Sequence, residues 1–149
     1  MKPVALALAL ASTLAGAVAA RSSAAAVTVR PPAGVTGRYA LERPNGGCLL
    51  DVAELSGGRI RFQLFCDRGE PSHNTGSIAG TARLSGGVAV YRVEQLGGVC
   101  ELRMTFRRGR MEMVQNERDG GCGFGYGVEA DGRYERTRTR PSFDLAHAR

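Results

Sequence analysis

Between Gly37 and Arg138, apolar and polar residues alternate in short stretches broken by glycine-rich turns. A period of two puts one face of a strand in a core and the other in water. In the stretch 59–66, Ile60, Phe62, Leu64 and Cys66 share a face opposite Arg59, Arg61 and Gln63. In 100–106, Cys100, Leu102, Met104 and Phe106 share one opposite Glu101, Arg103 and Thr105. After the first twenty residues, no window of about eleven carries a helical stripe. About eight or nine short strands at regular spacing predict an all-β chain, a small antiparallel barrel or sandwich. Closing the sheet removes exposed edges, so the barrel is the stronger expectation.

Register follows from the turns. Ser56-Gly57-Gly58 is a hairpin signal, and centring the hairpin on Gly57 sets Phe62 opposite Val52, Leu64 opposite Leu50 and Cys66 opposite Cys48. A slip of one residue would turn the apolar set outward. The pairing Cys48–Cys66 follows, leaving Cys100–Cys122. Beyond the turn Arg107-Arg108-Gly109-Arg110, Met111 can face Phe106 and Met113 can face Met104, which brings Cys122 back toward Cys100. A zinc site would bring its cysteines in close pairs. Here 17, 33 and 21 residues separate them, so no metal is expected.

Elsewhere the pattern is less complete. Ile78, Ala82 and Leu84 share parity on a strand near 76–84 that contains Gly80. Ser85-Gly86-Gly87 is a second hairpin turn, after which either Val88, Val90 and Arg92 or Ala89, Tyr91 and Val93 face inward. Phe124, Tyr126 and Val128 alternate with Gly123, Gly125 and Gly127, as on a curved strand. Ala130-Asp131-Gly132 turns the chain into a last strand beginning near Tyr134.

The chain opens as an exported protein does. Lys2 precedes an apolar run from Val4 to Ala20, and its closing small residues suit a signal peptidase. Residues 1–20 are therefore predicted to be a signal peptide, 21–36 a flexible leader, 37–138 the β-barrel domain and 139–149 a disordered tail. Export to the periplasm or the medium permits disulfides. No later segment is apolar enough to span a membrane. The formal charge is +6, or +5 once Lys2 leaves with the signal peptide.

Catalytic patterns are thin. His73 and His147 are the only histidines, and Ser72, His73 and Asp67 lack the strand–turn–helix context of a nucleophile. Glu101, Glu112, Glu117 and Asp119 lie among Arg103, Arg107, Arg108, Arg110 and Arg118, which reads as paired surface charge. No phosphate-cradling loop or dinucleotide fingerprint occurs. The expectation is a protein without catalytic residues or cofactor.

Arginine is the partner signal. Arg107, Arg108 and Arg110 crowd one hairpin tip, and Arg133, Arg136, Arg138 and Arg140 follow along the C-terminal strand and tail. The guanidinium suits bidentate contact with carboxylate or phosphate. Export makes an anionic envelope component or an acidic protein the fitting partner, and nucleic acid an unfitting one in vivo.

The segment 122–134, CGFGYGVEADGRY, resembles the ending of small exported bacterial proteins that are mostly uncharacterised. Those proteins also carry an early G-x-Y strand, here Gly37-Arg38-Tyr39, and an N-x-G-x-x-x-G stretch, here Asn74, Gly76 and Gly80. The resemblance implies a calycin-like barrel and brings no catalytic residues. A second likeness is to periplasmic lysozyme inhibitors, some of which insert a loop with Ser-Gly and then Tyr into the lysozyme cleft. Ser85, Gly86 and Tyr91 are similar to that loop, with two more residues between Gly and Tyr. An ordinary Gly-Gly hairpin explains the same residues, and a basic inhibitor would be repelled by a basic lysozyme.

The predicted function is that of a monomeric, exported, non-catalytic binding module for an envelope or extracellular macromolecule, with inhibition of a lysozyme-type enzyme as one form of it. The partner-binding candidates are Ser85, Gly86, Tyr91, Arg107, Arg108 and Arg110. The alternative is a carrier of a small apolar ligand in a cavity lined by Phe62, Leu64, Met104, Met113 and Phe124, residues that equally suit a filled core.

Overall fold

The computed structural model describes residues 34–144. The predicted signal peptide, the leader up to residue 33 and the last five residues of the chain lie outside them. Eight antiparallel strands follow one another around a closed barrel: β1 (Gly37–Arg43), β2 (Gly46–Leu55), β3 (Arg59–Asp67), β4 (Thr75–Ser85), β5 (Val88–Gln95), β6 (Gly98–Arg107), β7 (Arg110–Arg118) and β8 (Gly132–Arg138). Pairing of β8 with β1 closes the sheet. Every strand edge within the barrel therefore has a neighbour.

The β2–β3 register sets Cys48 opposite Cys66, Leu50 opposite Leu64 and Val52 opposite Phe62. The β6–β7 register pairs Met104 with Met113 and Phe106 with Met111. Disulfides join Cys48 to Cys66 and Cys100 to Cys122. After the Gly86-Gly87 turn, Ala89, Tyr91 and Val93 take the inward face, packing with the buried core.

One contiguous core fills the barrel. Tyr39 meets Phe106 edge-on with ring centroids 5.8 Å apart, and Phe62 meets Tyr91 at 5.0 Å. The buried hydroxyl groups of Tyr39 and Tyr134 donate to the carbonyls of Val35 and Ala130, four residues upstream of each. Burial pushes the pKa of both tyrosines up.

The two ends of the barrel differ. The tight β2–β3, β4–β5 and β6–β7 turns form a turn end. The other end carries the β3–β4 loop, the β5–β6 turn and the long segment between Arg118 and Gly132, and is here the loop end. That long segment corrects the strand expected over 122–128. Gly123 and Gly127 take φ of 68° and 72°, so the backbone turns where a strand would run on. Cys122 is tied to the wall through Cys100, Val128 and Ala130 are buried, and the Phe124 ring lies over Gly76. The segment closes the loop end as a lid.

The packed region also extends beyond the expected limits of 37–138. Val35 belongs to the core. Residues 139–144, expected to be disordered, run back over the outside of β1, β2 and β3. There the Phe143 amide donates to Asp51 Oδ2 at 2.9 Å, and Arg61 stacks on the Phe143 ring at 4.4 Å. Asp51 is fully buried on the outer face and takes two further bonds from Arg38, at 2.9 and 2.7 Å. Arg38 also binds Ser142 and Asp144.

Candidate functional site

Arg107 and Arg110 are directly paired at the foot of the β6–β7 hairpin, with Arg108 and Gly109 as the turn. Gly109 takes the left-handed φ of 70° that a tight turn needs at this position. Side chains at Arg107 and Arg110 point outward because Phe106 and Met111 fill the core. Beside them β8 contributes Arg133, whose Cα lies opposite Glu112. Thr105, Arg107, Arg110, Met111, Glu112 and Arg133 line a shallow pocket of about 300 Å³.

The charges there are not matched. Arg110 pairs with Glu135 at 3.0 Å. Among the described residues, Arg107, Arg108 and Arg133 form no ion pair, and all three are exposed. Crowding like charges raises the local potential and favours an anion in the pocket. Guanidinium forks on three strands can engage several oxygens at once.

Ser85 and Gly86 sit at the neighbouring β4–β5 turn and are exposed. Ser85 begins a row of paired positions across the outer face: Val88, Thr105, Glu112 and Arg133 follow it strand by strand. Ser85 and the arginine tip therefore share one rim. Tyr91 does not join them. It has the inward parity of Ala89, its ring lies over Gly80 and against Phe62, and it is only partly exposed. A loop presenting Ser85 and Tyr91 side by side is not what this backbone builds.

The proposed cavity residues are packed. Phe62, Leu64 and Met104 have no accessible surface and Met113 has 1%. A side chain facing a ligand-sized void would expose area to it. Phe124, the fifth of the set, belongs to the lid.

The remaining chemical candidates are dispersed. Asp67 Oδ1 accepts from the Gly69 amide at 2.6 Å, shaping the β3–β4 loop, and His73 is exposed on that loop. Glu101 faces Arg92 at 3.5 Å, and Glu117 accepts from the Cys122 amide at 3.1 Å.

Two exposed loop-end residues are not among the binding candidates that the sequence offers, Tyr126 having been placed on the strand expected over 122–128. Leu96 and Tyr126 are 76% and 88% exposed, more than any other large apolar side chain described. Leu96 occupies the two-residue β5–β6 turn with φ of 53°, followed by Gly97 at 80°. That turn type favours Asn or Gly at its first position. A leucine there costs roughly 1–2 kcal/mol, a signal readable in Gln95-Leu96-Gly97-Gly98. Tyr126 is held by its backbone, its carbonyl accepting from Arg68 at 3.2 Å and from Asn74 at 2.8 Å.

Formal charge is divided between the ends. The loops of the loop end carry Glu70, Asp119, Glu129 and Asp131 against Arg68, with Glu42, Asp67, Glu94 and Glu117 against Arg43 and Arg118 at the adjoining strand ends. The turn-end half carries Arg38, Arg59, Arg61, Arg83, Arg103, Arg107, Arg108, Arg110, Arg133, Arg136 and Arg138 against Asp51, Glu54, Glu112 and Glu135. No protein-family profile, curated protein or solved structure matches the chain.

Proposed function

We propose that the chain is an exported, non-catalytic binding module that holds an anionic envelope or extracellular macromolecule on the outer face of β6, β7 and β8 at the turn end. The observation that carries this reading is the trio Arg107, Arg108 and Arg133, exposed and in no ion pair among the described residues, beside a shallow pocket whose one carboxylate is Glu112. Its chemistry is charge-assisted hydrogen bonding to phosphate or carboxylate oxygens. Two disulfides fit an oxidising compartment, where anionic surface polymers occur. The packed interior favours a surface that binds over a cavity that carries.

Inorganic polyphosphate is a direct probe, titrated calorimetrically into the disulfide-bonded protein. Binding should weaken as salt rises, because counterions are released when arginines neutralise phosphates. Replacing Arg107, Arg108 and Arg133 together with Ala should weaken it by roughly tenfold or more and flatten the salt dependence. Replacing the distant Arg68 should change it little. Equal loss from both variants would reduce the site to nonspecific charge.

A further inference from the structure

Leu96 and Tyr126 stand at the same end of the barrel. Leu96 Cδ1 lies beside Gly123, and the backbone of Tyr126, three residues on in the lid, is within roughly 10 Å of Gly123. The lid is anchored by the Cys100–Cys122 disulfide and by the Gly125 amide on the Thr75 carbonyl at 3.0 Å. Both side chains are thus presented on fixed backbone, and one of them sits in a conformation that leucine rarely adopts. Strain and apolar exposure at one position oppose stability together, which marks the turn as a binding feature.

The surroundings of the tips specify the partner's chemistry. The eight carboxylates of this end, Glu94, Asp119, Glu129 and Asp131 among them, outnumber its four arginines, Arg43, Arg68, Arg92 and Arg118, of which Arg92 pairs with Glu94 at 3.6 Å. A complementary surface is basic, and its cations can join the Arg68 guanidinium, 5.8 Å from the ring centroid, against the exposed Tyr126 ring. The opposite end of this same chain has that character. Arg107 and Arg108 are exposed on a turn flanked along the rim by Ser85-Gly86-Gly87 on one side and by β8 on the other, where the Arg136 amide donates to the Gly109 carbonyl at 2.8 Å. We propose that copies of this chain associate head to tail, the loop end with Leu96 and Tyr126 docking on the arginine-bearing turn end of a second copy. Such a contact is heterologous, joining different surfaces of identical molecules, and it grows into open chains rather than closed two-fold dimers.

Sedimentation velocity on the disulfide-bonded mature protein tests this without any polymer, so it is independent of the polyphosphate experiment. At low ionic strength the sedimentation coefficient should rise with protein concentration, and the rise should vanish at high salt. Leu96→Asn with Tyr126→Ser should remain a single copy throughout. Asn suits the left-handed turn position, so a melting temperature at or above that of the parent would exclude unfolding as the cause. Arg107→Glu with Arg108→Glu should likewise remain a single copy. Mixing the two variants is the decisive arm. One retains a working turn end and the other a working loop end, so together they should form a one-to-one dimer and stop there. A parent protein that stays single at every concentration and salt level would overturn the proposal. So would closed two-fold dimers, or variants that fail to complement each other. A loop end that binds only an unrelated basic protein would appear as the first of these outcomes.

Discussion

Gly80 and Gly76 show how single residues decide what the barrel wall can hold. A Cβ at Gly80 would collide with the Tyr91 ring, and one at Gly76 with the Phe124 ring. Neither glycine needs a positive φ, so the requirement is space alone. Gly80→Ala should destabilise the protein by about 1–3 kcal/mol, because the Tyr91 ring is backed by Phe62 and cannot swing away freely. Denaturant unfolding would check this, and an unchanged midpoint would mean that the ring relaxes without cost. The same packing explains why alternation alone left the β5 register open. Val88, Val90 and Arg92 or Ala89, Tyr91 and Val93 were equally consistent with the pattern, and the vacancy over Gly80 selects the set containing Tyr91. The fact that sequence spacing could not supply was which glycine faced which ring.

At the scale of elements, the lid and the C-terminal segment behave differently from the hairpins. The β2–β3 and β6–β7 hairpins need only alternation and a turn to find their register, as Cys48 opposite Cys66 and Met104 opposite Met113 show. The lid depends on a tether. Replacing Cys100 and Cys122 with Ser should cost about 3 kcal/mol, since the bond closes a loop spanning 22 residues. Amide exchange over 122–131 should accelerate more than exchange in β2 and β3. Equal acceleration everywhere would show that the disulfide supports the whole barrel and not the lid in particular. The segment 139–144 is fastened by charge. Hydrogen bonds from Arg38 and from the Ser142 hydroxyl hold the Asp144 carboxyl below its ordinary pKa. A depressed carboxyl contributes above the unfolded pKa and stops contributing as pH falls through the folded one. Protection of the Ser142, Phe143 and Asp144 amides, relative to their intrinsic exchange rates, should therefore fall on acidification below the usual carboxylate range while the barrel amides stay protected. Persistence of protection at low pH would assign the attachment to Phe143 and Arg61 instead.

For the whole molecule, the separation of charge along the barrel matters more than its net value. The modest positive total implies repulsion from a basic lysozyme, yet one end of the barrel is predominantly acidic. At about 0.1 M salt, fields reach only about 10 Å, so a partner approaching the loop end meets local carboxylates first. The turn-end arginines serve both proposed contacts, which makes them exclusive. Adding polyphosphate to associated copies should dissolve the head-to-tail chains into single polymer-bound molecules. Chains that persist at saturating polyphosphate would show that different arginines serve the two contacts.

Local pattern was enough for much of this architecture. Alternation, glycine turns and the facing of Cys48 and Cys66 specify antiparallel hairpins, the register of β2–β3 and β6–β7 and two disulfides, because these depend on neighbours in the chain and a period of two. The arginine tip was legible for the same reason, being a single turn. The folding back of residues 122–131 over the loop end, the burial of Asp51 beneath Phe143 and the gathering of carboxylates around Leu96 and Tyr126 were decided by the tertiary structure. Each joins residues far apart in the chain, and periodicity carries no information about which distant surfaces meet once a sheet has closed.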